Sequence, residues 1–160
     1  MFTHFDFEGG EQLARHALRV LPALKRLRAG FDAHGLPVIH ANDNFLHWSR
    51  SFESLVATCT ATPGASSEIA RALAPRPGHC PMLKPRHSAF LGTPLPLMLD
   101  DLQADGVVVA GFAADSCVLA TAMDAKMRGL PFRVPHDATA AITQARKAAA
   151  LRLLRSSLLA

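Results

Sequence analysis

Only three cysteines, Cys59, Cys80 and Cys117, occur in 160 residues, and no two of them stand in a CxxC spacing. An odd number fits no disulfide framework, and three scattered thiols fit no four-cysteine zinc site, so at least one is a free thiol. No apolar run approaches the roughly 18 residues that a membrane-crossing helix needs. The opening residues carry acids and a Gly-Gly pair, FDFEGGE (5–11), instead of the basic stretch and apolar run of a secretory leader. Internal repeats and low-complexity segments are also missing. These absences set the expectation of a cytoplasmic chain with no membrane partner, folded as one domain over residues 1–160. With 49% of its residues apolar it has the hydrocarbon for a sizeable core. The formal net charge of +4 raises the question of nucleic acid, but the cations in LKRLR (24–28) and RKAAALRLLR (146–155) are mixed with apolar residues, as on the wet face of a helix. No nucleic-acid partner is expected.

From Glu11 to about His34, Leu13, Ala17, Leu21, Leu24, Leu27 and Phe31 recur at three- and four-residue steps, the mark of a helix with one buried side. Pro22 removes an amide donor there, so the helix either kinks or divides in two, and Gly35 ends it. LPVIHA (36–41) reads as a short buried strand. The 42–77 segment reads as mostly loop, with helical stretches near Ser51 to Thr58 and Ser66 to Leu73, and holds the only tryptophan, Trp48; long irregular segments tend to shape sites. HCPMLKP (79–85) is strand-like, PLPLMLDDLQADG (94–106) a helix running to Gly106, and VVVAGF (107–112) an uninterrupted apolar strand. A helix from Asp115 to Arg128, the strand PFRVP (131–135) and a last helix from about Thr143, with Lys147, Leu151, Leu154 and Leu158 on one side, complete the pattern. Apolar strands without alternation, separated by helices, imply an α/β fold: a three-layer α/β/α arrangement around a doubly wound, mainly parallel sheet.

In such sheets ligands bind beyond the carboxyl ends of the strands, which singles out residues following Ala41, Leu83 and Phe112. Lys84 and Cys117 stand there. Cys117 lies in the first turn of its helix, where free amides and the positive dipole end favour a thiolate, and a thiolate attacks carbonyls. Its ordinary alternative is inert packing early in a core helix, and that of Lys84 is a solvated lysine at a strand end.

KPRHSAFLGTPL (84–95) followed by VVVAGFAADSCVLATAMDAKMRG (107–129), together with FDFEGGE (5–11) and PVIHANDNF (37–45), resembles the isochorismatase-like cysteine hydrolase family over nearly the whole chain. The resemblance implies hydrolysis of a small amide-type C–N substrate through a covalent thioester, with no cofactor, a small-molecule partner and a homo-oligomer among the expected states. It makes Cys117 the nucleophile and Lys84 the residue that stabilises its thiolate. It also implies a non-proline cis peptide at Ala113–Ala114, which aims the amides of Ala114 and Cys117 at one oxyanion. Isochorismate itself is not the expected substrate, because the enzymes that cleave its vinyl ether lack this cysteine.

The family's aspartate, matched onto MFTHFDF, falls one position before Met1. The expectation is therefore a chain lacking both the catalytic acid and the first strand, with its natural start upstream and either an unpaired edge beside the second strand or the fourth strand closing the gap. Asp6, the nearest acid, lies too far along to serve. An inactive scaffold acting as a binding or assembly module is the alternative reading.

The remaining candidates are weaker. Nicotinamidase-like relatives carry Asp-x-His after the second strand, but HANDNFLHW (40–48) does not, so His40, Asp43 and His47 are not expected to hold a metal. His40 reads as a hydrogen-bonded strand residue and His47 as a rim residue. His87 and Ser88 either line the pocket or form the turn that holds Lys84. Phe45, Trp48 and Phe90 are candidate apolar walls for the substrate, Phe90 equally a core residue. Asp115 is expected to cap the next helix, Asp124 to lie beyond the reacting centre, and nothing near Cys59 or Cys80 activates them.

Overall fold

A computed structural model describes residues 1–158. Helix α1 (Gly10–Ala33) buries Leu13, Ala17, Leu21 and Leu24 along one side, and the exposed Pro22 lies inside one continuous helix instead of dividing it. Gly35, at φ +64°, turns the chain out of the helix. Strand β1 (Ile39–Asp43) runs two residues past its expected end and pairs in parallel with β2 (Cys80–Lys84), so that Asp43 stands opposite Lys84.

Between these strands the 42–77 segment is more helical than its sequence suggests. Helices α2 (Phe52–Ala61) and α3 (Ala65–Leu73) bury Phe52, Leu55 and Cys59, and Ile69, Ala70 and Leu73, in the same core as α1. Ser51 Oγ caps the first of them by accepting the Ser54 amide at 3.1 Å.

Helix α4 (Leu95–Asp101) stops short of Gly106, because Gln103 adopts φ +50° and the Ala104 amide turns back to the Leu99 carbonyl. The apolar run 107–112 is likewise broken, into β3 (Val107–Val108) and β4 (Gly111–Phe112). They pair in parallel with β5 (Phe132–Arg133) and β6 (Thr139–Ala140). The partner run, 132–140, is longer, and its surplus leaves the ladder as a turn at His136–Ala138, which is why the pairing comes in two pieces. A π-helical turn, Ala114–Val118, leads from β4 into α5 (Leu119–Met127), and α6 (Gln144–Leu158) closes the chain. Leu154 of α6 is buried and Lys147 and Leu151 half-buried; the Leu158 side chain lies outside the described residues.

The strands are covered on both faces. Helices α1, α2 and α3 pack with Phe2, Phe5, Phe112 and Ala140 on one side. Helices α4, α5 and α6 pack with Met82, Phe90 and Phe132 on the other. This is the three-layer α/β/α arrangement with parallel strands. No ladder joins β1 to β4 among the described residues, so the expected gap beside β1 is present, and residues 1–5 lie along it. Asn42 of β1 accepts the Phe2 amide at 2.8 Å and donates to the Phe2 carbonyl at 3.0 Å, satisfying backbone that has no ladder partner. Gly111, at φ +109°, makes room for the Met1 side chain, which a Cβ there would meet at 2.9 Å. No helix among the described residues is long and apolar enough to cross a membrane.

Candidate functional site

Three strand ends bring Asp43, Lys84 and Cys117 together. The Lys84 side chain is 3% exposed, and its Nζ donates to Asp43 Oδ1 at 2.8 Å, to the Arg86 carbonyl at 2.9 Å and to Cys117 Sγ at 3.4 Å. An ammonium has three N–H bonds, and all three are used, as its burial demands. Asp43 spreads its carboxylate over the other two residues, with Oδ2 3.5 Å from Cys117 Sγ. The sulfur is half-buried and faces a third group, His87, whose Nδ1 lies 3.8 Å from Sγ and 3.1 Å from Ser116 Oγ.

Cys117 sits in a wider turn than expected. The Val118 amide reaches the Ala113 carbonyl at 3.2 Å, a π-type bond of the kind that recurs at functional sites. The cis peptide falls at Phe112–Ala113 and not at Ala113–Ala114. Strand β4 ends at Phe112, as expected, and the cis bond falls directly on that strand end instead of one residue beyond it.

Asp115 does not cap the helix. The π-turn turns it toward α6, where its Oδ2 pairs with Arg146 Nε, leaving Oδ1 buried and unpartnered.

The segment after Lys84 is pinned from α5. Ser88 Oγ donates to Asp124 Oδ2 at 2.7 Å, and Thr121 Oγ1 accepts the Ala89 amide at 3.0 Å. Phe90 is buried beneath the Arg128 guanidinium, 4.9 Å from the ring centre, and is core and not wall. The Arg86 carbonyl and Ser88 thus hold the turn, which frees the exposed His87 to face the sulfur.

Phe45 and Trp48, the expected apolar walls, are 44% and 75% exposed. Phe45 and Leu46 adopt φ values of 51° and 64°, a left-handed conformation costly for bulky side chains. It is fixed by Asn44, whose side chain accepts the Leu46 amide at 2.9 Å and whose own amide donates to the Lys84 carbonyl at 3.0 Å.

The metal candidates disperse. His40 points to the opposite face of β1 from Ala41 and packs against Phe2 and Phe52, while His47 is exposed. Among the described residues no three His, Cys, Asp or Glu side chains gather as a metal site. His40 instead joins a chain of contacts: His40 Nε2 to His79 Nδ1 at 2.9 Å, His79 Nε2 to Asp32 Oδ1 at 2.9 Å, and Arg76 to Asp32 Oδ2 at 2.7 Å. Burial, assisted by the neighbouring His79, pushes the His40 imidazole down to about 4, and the bond from His79 holds Asp32 below the usual carboxylate range. Burial likewise raises the Cys59 thiol, Cys80 is half-buried, and Asp6 is exposed.

Sequence reasoning missed Asp43 as the acid beside Lys84 and Cys117. The signal was available in the strand ends: carrying the parallel register two residues further puts Asp43 directly across from Lys84.

Comparison with known proteins identifies the family. The Isochorismatase domain model matches residues 2–160. The uncharacterized isochorismatase family protein YaaI of Bacillus subtilis (strain 168) is 31% identical over 160 residues, covering 100% of this chain and 87% of that protein. N-carbamoylsarcosine amidase of an Arthrobacter species is 28% identical over 127 residues, 74% of this chain and 48% of that protein. The crystal structure of N-carbamoylsarcosine amidase from Thermoplasma acidophilum superposes with a TM-score of 0.67 at 27% identity, covering 88% of this chain and 82% of that one. Fold, motif and sequence agree, and the chain belongs to the isochorismatase family.

Proposed function

We propose that this chain is a cysteine-dependent hydrolase of small amide-type C–N substrates that works through a thioester on Cys117. The observation that carries the reading is the contact of Cys117 Sγ with Lys84 Nζ at 3.4 Å, at the open end of the sheet. An ammonium touching a sulfur holds it as the anion, the form that attacks carbonyl carbon. The ion pair with Asp43 fixes that ammonium in place. Amidases among the relatives support the same bond type.

In this reading the thiolate adds to the substrate carbonyl and the oxyanion settles against the backbone of the turn that begins at Ala113 and Ala114. The C–N bond then breaks, and water releases the acid from the thioester. Phe45, Trp48 and His87 form the rim against which the substrate sits.

The test is a panel of N-carbamoylsarcosine, other ureido acids, simple amides and imides, read by amine release. Hydrolysis of one of them, lost by about 10⁴-fold or more in Cys117→Ala, is the expected result. Iodoacetamide should also label Cys117 readily at pH 6, where an ordinary thiol hardly reacts. Labelling no faster than a simple thiol, with no panel member cleaved, overturns the enzyme reading in favour of a binding scaffold.

A further inference from the structure

We infer that His87 is the proton carrier of the reaction: it protonates the leaving nitrogen and then activates the water that hydrolyses the thioester. The inference rests on the Cys117 reading and adds a catalytic residue to it. Cleaving an amide C–N bond requires a proton on the departing nitrogen, because an amide anion is a very poor leaving group. Four side chains come within 4.0 Å of the sulfur, Lys84, Asp43, His87 and Ser116, and the first two are bound to each other as an ion pair. All three Lys84 N–H bonds are used, and the side chain is closed off from solvent. Asp43 has Oδ1 held by Lys84 and Oδ2 3.5 Å from the sulfur, a contact in which the thiol is the donor, and it is the carrier instead if His87→Gln turns over as the wild type does.

His87 differs on both counts. It is exposed, and its Nδ1 stands 3.8 Å from Sγ. Ser116 Oγ, 3.1 Å from the same nitrogen, orients the ring. The charged and titratable groups around it are Cys117, Lys84 and Asp43 on the inner side and Arg86 beside it in the chain. Arg86 turns its guanidinium to the Pro85 carbonyl. Imidazole is the side chain that exchanges protons most readily near neutral pH.

The steps balance as follows. At rest the thiol proton sits on His87, giving thiolate and imidazolium. The thiolate forms the C–S bond and the carbonyl π pair moves onto oxygen. As the pair returns, the C–N bond breaks and nitrogen takes the proton from His87. Neutral His87 then removes a proton from water as its oxygen attacks the thioester carbonyl. The C–S bond breaks, and thiolate and imidazolium are restored with the acid released.

The decisive experiment separates acylation from deacylation with p-nitrophenyl acetate, whose phenolate departs without a proton. The wild type should turn it over continuously. His87→Gln should keep a one-equivalent burst of p-nitrophenolate within about tenfold of the wild-type acylation rate, since Lys84 still holds the thiolate. It should then stall, with an acetyl group on the Cys117 peptide by mass spectrometry and deacylation lowered by about 10²–10⁴-fold. Imidazole added to His87→Ala should restore deacylation, because the vacated position is open to solvent. Continuous turnover by His87→Gln, or equal loss of burst and turnover with no rescue by imidazole, overturns the assignment. A wild type that is never acetylated at Cys117 overturns the cysteine reading itself, an outcome distinct from a stalled acetyl enzyme.

Discussion

Strand β1 carries an ionisable cluster near each end, and the two clusters have opposite surroundings. Toward the amino end, His40 faces α1 and α2, with Phe2 and Phe52 each 6.3 Å away ring to ring, and it reaches Asp32 of α1 only through His79. Its Nδ1 is buried without a partner. At the carboxyl end, Asp43 faces the other layer, engages Lys84 and meets a half-buried sulfur. An odd spacing along a strand sends the two side chains to opposite faces, so one strand supplies both layers. What separates them chemically is enclosure. At the amino end His40 is walled by aromatic rings and, through the buried His79, ties the strand to Asp32 of α1 at the surface. The carboxyl-end cluster lies where the strands stop, with Asp43 31% exposed and Cys117 half-buried. The same kind of polar contact is an anchor in one place and, under the function proposed above, a reagent in the other.

Acid should break this contrast most visibly. His40 in the folded chain titrates at about 4, below the ordinary 6.5, so the unfolded chain takes up its proton first. The stability that goes with a neutral His40 is therefore complete above pH 6.5 and is lost as pH falls toward 4, amounting to about 3 kcal/mol. Asp32, whose carboxyl is held low, loses its contribution further down in the same direction. Urea midpoints at pH 7 and pH 4.5 should differ accordingly, and His40→Leu should flatten the dependence. A variant that keeps the full pH slope would show that the acid-sensitive anchor lies elsewhere.

At the other end, the two members of the ion pair should respond unequally. Asp43→Asn leaves an ammonium that is 3% exposed without its counter-charge, whereas Lys84→Met leaves a carboxylate that is 31% exposed and open to hydration. The first should cost about 2 kcal/mol, less than a fully enclosed broken pair because Asp43 is partly wet, and the second clearly less. Chemical denaturation at pH 7 measures both. Lys84→Met should also bring iodoacetamide labelling of Cys117 at pH 6 down to the rate of a simple thiol. Equal destabilisation by the two substitutions would mean that burial of Lys84 does not govern the cost.

Much of this was legible in the residues. The apolar strands and the helical spacing of α1 fixed the layers, and the motifs around Lys84 and Cys117 located two of the three interacting groups. Asp43 escaped because the polar run Asn42, Asp43, Asn44 looks like a loop, whereas in the fold Asn42 is spent on the Phe2 backbone and Asn44 on the turn that follows. Asp115 misled because a carboxylate two residues before a helical cysteine reads as a cap; only the distant Arg146 explains it. The break between β3 and β4 was equally hidden, since it comes from the unequal length of the partner run. Short-range patterns report burial and period, and they do not report which distant side chain completes a contact.

The mildest test concerns the rim. Trp48 is 75% exposed on the segment that follows Asp43, so removing its ring uncovers no cavity and strands no polar group. Trp48→Ala should change stability by no more than about 0.5 kcal/mol. If the ring grips the substrate beyond the reacting bond, it does so equally before and during bond breaking, and its loss should raise KM several-fold while kcat stays near the wild-type value. That split, measured on the best panel substrate, places Trp48 on the binding side of the site. A fall in kcat at constant KM would instead place it against the reacting atoms, and the open rim would have to close over Cys117 when substrate binds.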